Sequence, residues 1–428
     1  MGCEHFYGND CIKSTCTFLH ILPSLFSGKI QDLMAVFCWG LRLLLCAHAH
    51  LQPVDSLPVY QIMQQAERQT MAYLSAYPDS ARFLHSQSSD GKAIRVGMHG
   101  WTAGFFPGKL WYLYAFTRNP FWEQQALSYT LALTADDTLT STHDLGFMVG
   151  IPFEKAYAFT LQPALREVLI RAARSLSRRF HPIVGEIKSW DGGPWHYPVI
   201  VDNLMNLELL FRATALSGDS SFYRIAVSHI DQDLRYRFRR DYSTYHVLDY
   251  DPHTGRLLAR KTWQGYADGS CWSRGQAWAI YGLTVAYRYT HNPRYLFYAR
   301  HAADYFLDQL SRYPDRIPPW DFNAPDSLRK LKDVSAAAIA ASALLELQGY
   351  VPAGSSTRYR HAAEVILRAL SSPPYRTNDD AHSYFLLLHA TGDAHHHREM
   401  DVPLIYADYY YLQALWRYTH MHAADFFL

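Results

Sequence analysis

An all-α fold with two layers of helices is predicted for this chain by three observations. Apolar residues recur at helical spacing in block after block from Ser56 onward. Short turns rich in Gly, Pro, Asn and Asp separate the blocks. The helical blocks also divide into two kinds. Residues 273–287 and 335–347 are apolar or small on nearly every face, as helices buried all round must be. Residues 164–179 instead carry a polar stripe of Arg166, Glu167, Arg171, Arg174 and Arg178 that suits a water-facing helix. Inner and outer helices together suggest a double ring.

Taken in order, the spacing predicts helices over 57–77, 108–118, 164–179, 204–216, 220–238, 273–290, 293–310, 335–348, 358–369 and 402–418. Pro163, Pro293 and Pro403 fit first-turn positions, where the missing amide hydrogen costs little. Residues 244–261 depart from this pattern. They alternate about Asp251-Pro252-His253-Thr254-Gly255, a turn by its chemistry, and are expected to form a small β-hairpin insertion.

The 428 residues exceed a usual domain, but a barrel of repeated hairpins can use that length around one core, over residues 51–428. A hydrophobic fraction of 49% with 18% charged residues gives a packed protein, not a disordered one. With 40 basic and 39 acidic side chains dispersed along the chain, no electrostatic footprint for nucleic acid exists. The apolar stretch 33–49 is broken by Arg42 and is shorter than the roughly 20 residues that span a bilayer, so no membrane partner is expected. Five of the six cysteines precede residue 50, so no disulfide framework holds the main domain. Residues 1–50 are set apart as a leader. Ala47-His48-Ala49 has the form of a signal cleavage site, which would imply secretion; a disordered leader and a cytoplasmic protein are the favoured expectation.

Asp144, Asp202, Asp268, Asp333 and Asp401 each precede an apolar helical run, and N-capping would by itself place Asp there. If the inner helices run the same way, their first turns gather several carboxylates at one mouth. Two contexts raise the functional reading: Thr142-His143-Asp144-Leu145-Gly146 and Val201-Asp202-Asn203-Leu204, with small residues that let a ligand approach. Arg274 and Trp278 are four residues apart, on one helix face, where a cation beside an aromatic wall could orient an anionic sugar or stack within the core. Trp101, Trp190 and Trp195 are stacking platforms or core fillers, Trp195 being the one best suited to filling. His395-His396-His397 reads as solvated loop, because consecutive side chains seldom converge on one metal ion.

These segments resemble the unsaturated glucuronyl hydrolases of glycoside hydrolase family 88. The similar stretches, in family order between residues 95 and 418, are Trp101 to Gly108, the two Asp motifs, Ser189-Trp190-Asp191, Gln264 to Asp268, Trp272 to Trp278, Asp333 to Ile339 and Asp401 to Tyr410. The resemblance implies an (α/α)6 barrel of six hairpins, with Asp202 as general acid and base and Asp144 as its carboxylate partner. It implies substrate contacts from His143, His246, Gln264, Arg274, Trp101, Trp190 and Trp278. Trp263 stands where many relatives have His, and Lys332 replaces the Arg before Asp333.

The implied substrate is an oligosaccharide cut by a polysaccharide lyase, whose terminal uronic acid carries a C4=C5 double bond. Protonation at C4 leaves oxocarbenium character at C5, water adds, and the hemiketal opens to expel the remaining sugar. No metal and no cofactor are required, and a monomer or weak homodimer is expected. For Asp202 to hold a proton near neutrality its pKa must exceed about 3.9, and a nearby ionised Asp144 is the expected cause. The rival readings are a barrel hydrolase for unsaturated galacturonyl-rhamnose from pectin, and a sugar-binding barrel without catalysis.

Overall fold

The computed structural model describes residues 57–378, 382–421, 423, 426 and 427. The leader, its cleavage motif and the apolar stretch 33–49 lie outside the described residues. Six helical stations form an inner ring: α2 (Phe105–Thr117), α4 (Ile151–Thr160), the broken pair α6 (Asn203–Asn206) and α7 (Glu208–Ser217), α9 (Ser273–Thr290), α11 (Val334–Leu347) and α13 (Ile405–Thr419). Neighbours in this list pack together, the junction between α4 and the broken pair being made by the π-turn Gly146–Gly150 that leads into α4, and α13 closes on α2. Five are followed by an outer helix that packs back on them: α3 (Pro120–Leu131), α5 (Pro163–Ser177), α8 (Ser220–Tyr236), α10 (Pro293–Leu310) and α12 (Ala353–Leu370). The first helix, α1 (Val59–Ala76), completes the outer set. The chain therefore folds as the (α/α)6 helical barrel expected, with small β insertions.

The division into inner and outer helices has the predicted cause. Every residue of α11 is buried, as are residues 273–286 of α9. In α5 only one face is buried, with Leu165, Leu169, Ala172 and Leu176 inward and the arginine stripe outward. Three of the outer helices, α3, α8 and α10, start on side-chain caps. Asn119 Oδ1 accepts the Phe121 N–H (3.0 Å) and Asn292 Oδ1 accepts that of Arg294 (3.1 Å), each followed by proline at the first helical position.

Three expectations need correction. Helices α3 and α4 were not predicted: α3 buries only Trp122, Ala126, Tyr129 and Thr130, and α4 is entered through a π-turn, Gly146–Gly150, that shifts the 3.6-residue phase. Pro403 is not in a first turn, since α13 begins at Ile405 and the link before it is extended, with Val402 bridged to Ala390 and Leu404 to Ser86. Lastly, the hairpin at 244–261 is one part of a three-stranded antiparallel sheet. Strands β6 (Val247–Tyr250) and β7 (Leu257–Lys261) are joined by β5 (Pro198–Ile200), ahead of which two short hairpins, β1–β2 (Phe83–Gln87, Ala93–Val96) and β3–β4 (Phe180–His181, Glu186–Ile187), also form. No helix among the described residues is long and apolar enough to cross a membrane.

The three-stranded sheet positions the site. Ile200 pairs with Val247, so the residues just beyond that end of the ladder, Asp202 and His246, are brought side by side although 44 positions apart in sequence. Val201 N–H donates to the His246 carbonyl (3.1 Å) and seals the juncture.

Candidate active site

Asp202 starts α6 but does not cap it: its side chain accepts nothing from the helix, and its own backbone is already helical. The carboxyl is nearly buried, at 8% exposure, and Oδ2 has no hydrogen-bond partner. Facing it at 3.7 Å is Nε2 of His246, also buried and also without a partner. The tautomer of His246 follows from its other nitrogen. Nδ1 accepts the backbone N–H groups of Trp263 (3.1 Å) and Gln264 (3.2 Å), so the ring proton sits on Nε2 and points toward Asp202. Burial, with Arg237 and Arg274 nearby, holds the His246 pKa well below the ordinary histidine range, so the ring is neutral.

Burial pushes the Asp202 pKa up to about 7. The Arg274 charge opposes that rise and the Asp144 charge adds to it. Asp144 thus acts in the expected direction, but desolvation is the larger cause, which corrects the sequence argument. A carboxyl poised near 7 is protonated in a large share of molecules at neutral pH and can return to the ionised state within one reaction cycle.

Asp144 is delivered by the turn ahead of the π-turn Gly146–Gly150. Gly146 approaches the backbone of Asn206 so closely that an added Cβ would lie 2.6 Å from Asn206 Cα, which is why the Asp144 turn can lie directly on α6. The Phe147 N–H donates to Asn206 Oδ1 (2.9 Å), fixing that contact. Asp144 Oδ2 accepts the Thr142 hydroxyl (2.8 Å), and Oδ1 lies 3.3 Å from His143 Nε2. His143 is bonded through Nδ1 to Oδ1 of Asn203, the residue after Asp202. Since Asn203 Nδ2 donates to the Ile187 carbonyl (2.7 Å), its Oδ1 is the end that faces His143, and His143 Nδ1 is the donor. Ser189 fastens the same turn to β5: its carbonyl accepts the His143 N–H (3.3 Å) and its Oγ accepts the Ile200 N–H (2.9 Å).

The remaining expected contacts fall into two groups. Trp190, Trp195 and Trp263 pack edge to face or tilted with ring centres 6.0 to 6.2 Å apart, and Trp263, 37% exposed, carries the His396 ring on it at 4.5 Å. Trp195 is therefore part of an aromatic wall beside Gln264 and His246, not an isolated core filler. His396 belongs to that wall, whereas His395 bonds the Gly265 carbonyl (2.9 Å) and His397 is exposed, so the three histidines do not converge. Gln264 spans the gap, its Nε2 donating to the Gly392 carbonyl (3.2 Å).

Arg274 and Trp278 lie deeper. Arg274 is 1% exposed, and its guanidinium donates to Asp333 Oδ2 (2.7 Å) and to the carbonyls of Thr391 (2.7 Å) and Gly392 (2.6 Å). It lies over Trp272 at 4.5 Å and near Tyr406 at 5.3 Å. Its charge acts on Asp202, lowering the pKa of that carboxyl. Trp278 is fully buried against Phe147 and Tyr410, while Trp101 is partly buried against Phe105, Phe147 and Tyr406. Tyr406, whose buried hydroxyl has no hydrogen-bond partner, was not singled out in sequence; as the second residue of α13, inside a matched stretch, it offered position as its only signal.

Of the five aspartates expected as caps, Asp333 alone is one, accepting the Ser335 N–H (3.0 Å). Asp268 is bound by Lys261 (2.8 Å) and the Thr262 N–H (2.9 Å) in an exposed loop, and Asp401 pairs with His389 (2.6 Å). Among the described residues one group, Glu186, His229 and Asp233, brings its oxygen and nitrogen atoms within 4.8 Å of one another as a cation site would.

No family model matches the chain. It is 40% identical to the unsaturated glucuronyl hydrolase of Formosa agariphila over 346 residues, 80% of this chain and 86% of that protein. It is 32% identical to the unsaturated chondroitin disaccharide hydrolase of Streptococcus pneumoniae, over 74% of this chain and 81% of the relative. A solved unsaturated glucuronyl hydrolase specific for heparin superimposes with a TM-score of 0.81 at 38% identity, covering 86% of this chain and 98% of the other. That of Bacillus sp. GL1 gives 0.77 at 30% identity, covering 84% and 96%. With a relative this similar matched along most of both chains, and the same barrel in the solved structures, the chain belongs to the unsaturated glucuronyl hydrolase family.

Proposed function

We propose that this chain releases 4,5-unsaturated glucuronic acid from the non-reducing end of oligosaccharides that lyases cut from glycosaminoglycans, with Asp202 as general acid and then base. The observation that carries this reading is the Asp202 carboxyl: buried, partnerless at Oδ2 and protonated up to about pH 7. Such a group can deliver a proton to C4 of an alkene that enters the pocket. The ring oxygen stabilises the cation at C5, and the Asp202 carboxylate then accepts a proton from the water that adds there. The hemiketal opens and the remaining sugar leaves. His246 Nε2–H supplies a neutral donor beside the reacting atoms, and the Asp144 pair with His143 offers acceptors for sugar hydroxyls. Relatives named for heparin and for chondroitin disaccharides support a glycosaminoglycan substrate.

The test is an assay of paired disaccharides, one unsaturated and its saturated glucuronyl counterpart, on products from heparin, chondroitin and pectin lyases. Loss of the alkene absorbance with the glycosaminoglycan products, and inertness of the saturated sugars, is expected. Comparable cleavage of the saturated sugars would mean attack at the anomeric carbon, and faster turnover of the pectin product would move the substrate class.

A further inference from the structure

Arg237, at the end of α8, is fully buried. Its Nε donates to Asp233 Oδ1, one helical turn back (2.5 Å), and its Nη atoms donate to the carbonyls of His246 (2.8 Å), Tyr245 (3.2 Å) and Val199 (3.3 Å). The His246 carbonyl is the one that also accepts the Val201 N–H. One guanidinium therefore ties the segment ending in Asp202 to the segment carrying His246. A rigid planar fork with several donors can do this, and a single ammonium cannot.

What lies under Arg237 explains why it stays in place. Glu186, His229 and Asp233 are buried, and by distance alone they resemble a cation site. The tautomer of His229 argues against that use. Its Nδ1 accepts the Ile187 N–H (3.0 Å), so in the neutral ring the proton is on Nε2, which faces Asp233 Oδ2 at 3.7 Å as a donor and not as a lone pair. Burial holds the His229 pKa well below its ordinary value and keeps the ring neutral. Burial, reinforced by the Asp233 charge, pushes Glu186 well above the usual carboxylate range, so its proton stays. Burial raises the Asp233 pKa as well, and the Arg237 charge and hydrogen bond oppose that rise; with one proton held between the two carboxyls, the charged Arg237 and the remaining carboxylate sum to zero, a balance a buried cluster needs.

We propose that Arg237 is a positioning residue for the neighbouring reaction: seated on Asp233, it fixes the separation between Asp202 Oδ2 and His246 Nε2. The inference rests on the function proposed for those two groups. Reacting groups displaced by about an ångström lose rate far more than binding, so this role predicts a particular division between kcat and KM.

Two variants test it. Arg237→Lys keeps the charge and loses the fork; Arg237→Gln combined with Asp233→Asn removes both charges and preserves the balance. Melting temperature, kcat, KM and the pH profile are measured on each, with rates referred to folded protein. Both should lose at least about tenfold in kcat with KM held within about threefold. In the double variant the high-pH limb of kcat/KM should also move upward. The charged and titratable groups facing Asp202 include Arg274, Asp144, Arg237, His246 and Tyr406, and removing the Arg237 charge removes one that lowers its pKa. A kcat per folded molecule equal to wild type, with the limb unmoved, overturns the proposal. Retained turnover by Asp202→Asn, assayed alongside, would overturn the site reading beneath it instead.

Discussion

Asp333 and Asp202 each stand at the first turn of an inner helix, each beside Arg274 in space, and each with little or no exposure to water. Asp333 accepts the Ser335 N–H (3.0 Å), the Ser335 hydroxyl (2.5 Å) and Arg274 Nη1 (2.7 Å). Asp202 accepts none of these: Oδ2 is unpartnered, and burial outweighs the cation that opposes it. One carboxylate is satisfied by structural hydrogen bonds, and the other keeps an unpartnered oxygen. A buried polar atom without a partner costs folding free energy, and Asp202, where one persists at a first turn, is the carboxyl to which we assign the reaction.

Substituting each member breaks the comparison in a different observable. Asp202→Asn should lose about 100-fold to 10,000-fold in kcat, the range for removing a general acid, and remain folded; turnover near wild type would remove Asp202 from the mechanism. Its stability should change with pH in a defined sense. The folded pKa of Asp202 is raised, so the folded state binds its proton more tightly than the unfolded state, and wild-type stability falls as pH rises toward about 7. The variant lacks that fall and should melt higher than wild type above pH 7, and its advantage should vanish in acid.

Asp333→Ala should instead cost about 3–5 kcal/mol of stability, the range for leaving a buried partner charge uncompensated. A melting temperature unchanged from wild type would show that Arg274 does not depend on it. Asp144→Asn sharpens the contrast. The Asp144 charge raises the Asp202 pKa, so removing it should move the high-pH limb of kcat/KM to lower pH; a limb that stays put would leave burial as the entire cause. The smallest effect is expected at the aromatic wall. Trp263→Ala should raise KM by about 2- to 10-fold, the worth of one aromatic contact, with kcat little changed, and an unaltered KM would place Trp263 outside the substrate path.

The inner helices were legible because an all-round apolar helix such as residues 335–347 has few alternatives to burial. The β-hairpin was legible from the turn chemistry of Asp251 to Gly255. The helix at 151–160 was hidden because a π-turn offsets the phase that periodicity reads. The five aspartates each precede an apolar run, and only the local contexts of Asp144 and Asp202 set those two apart; capping described Asp333 alone.

By itself, then, the sequence determined the two layers of helices and the β-hairpin, because periodicity and local turn chemistry act over a few residues; the six-hairpin barrel and the stretches in which the site residues stand came from the family resemblance. The tertiary structure alone decided which carboxylate is buried without a partner, which nitrogen of His143 and His246 carries the proton, and that Arg274 is held by Asp333 and two carbonyls. Those outcomes depend on contacts between segments tens to more than a hundred positions apart. Desolvation and hydrogen-bond satisfaction exist only once such segments have met.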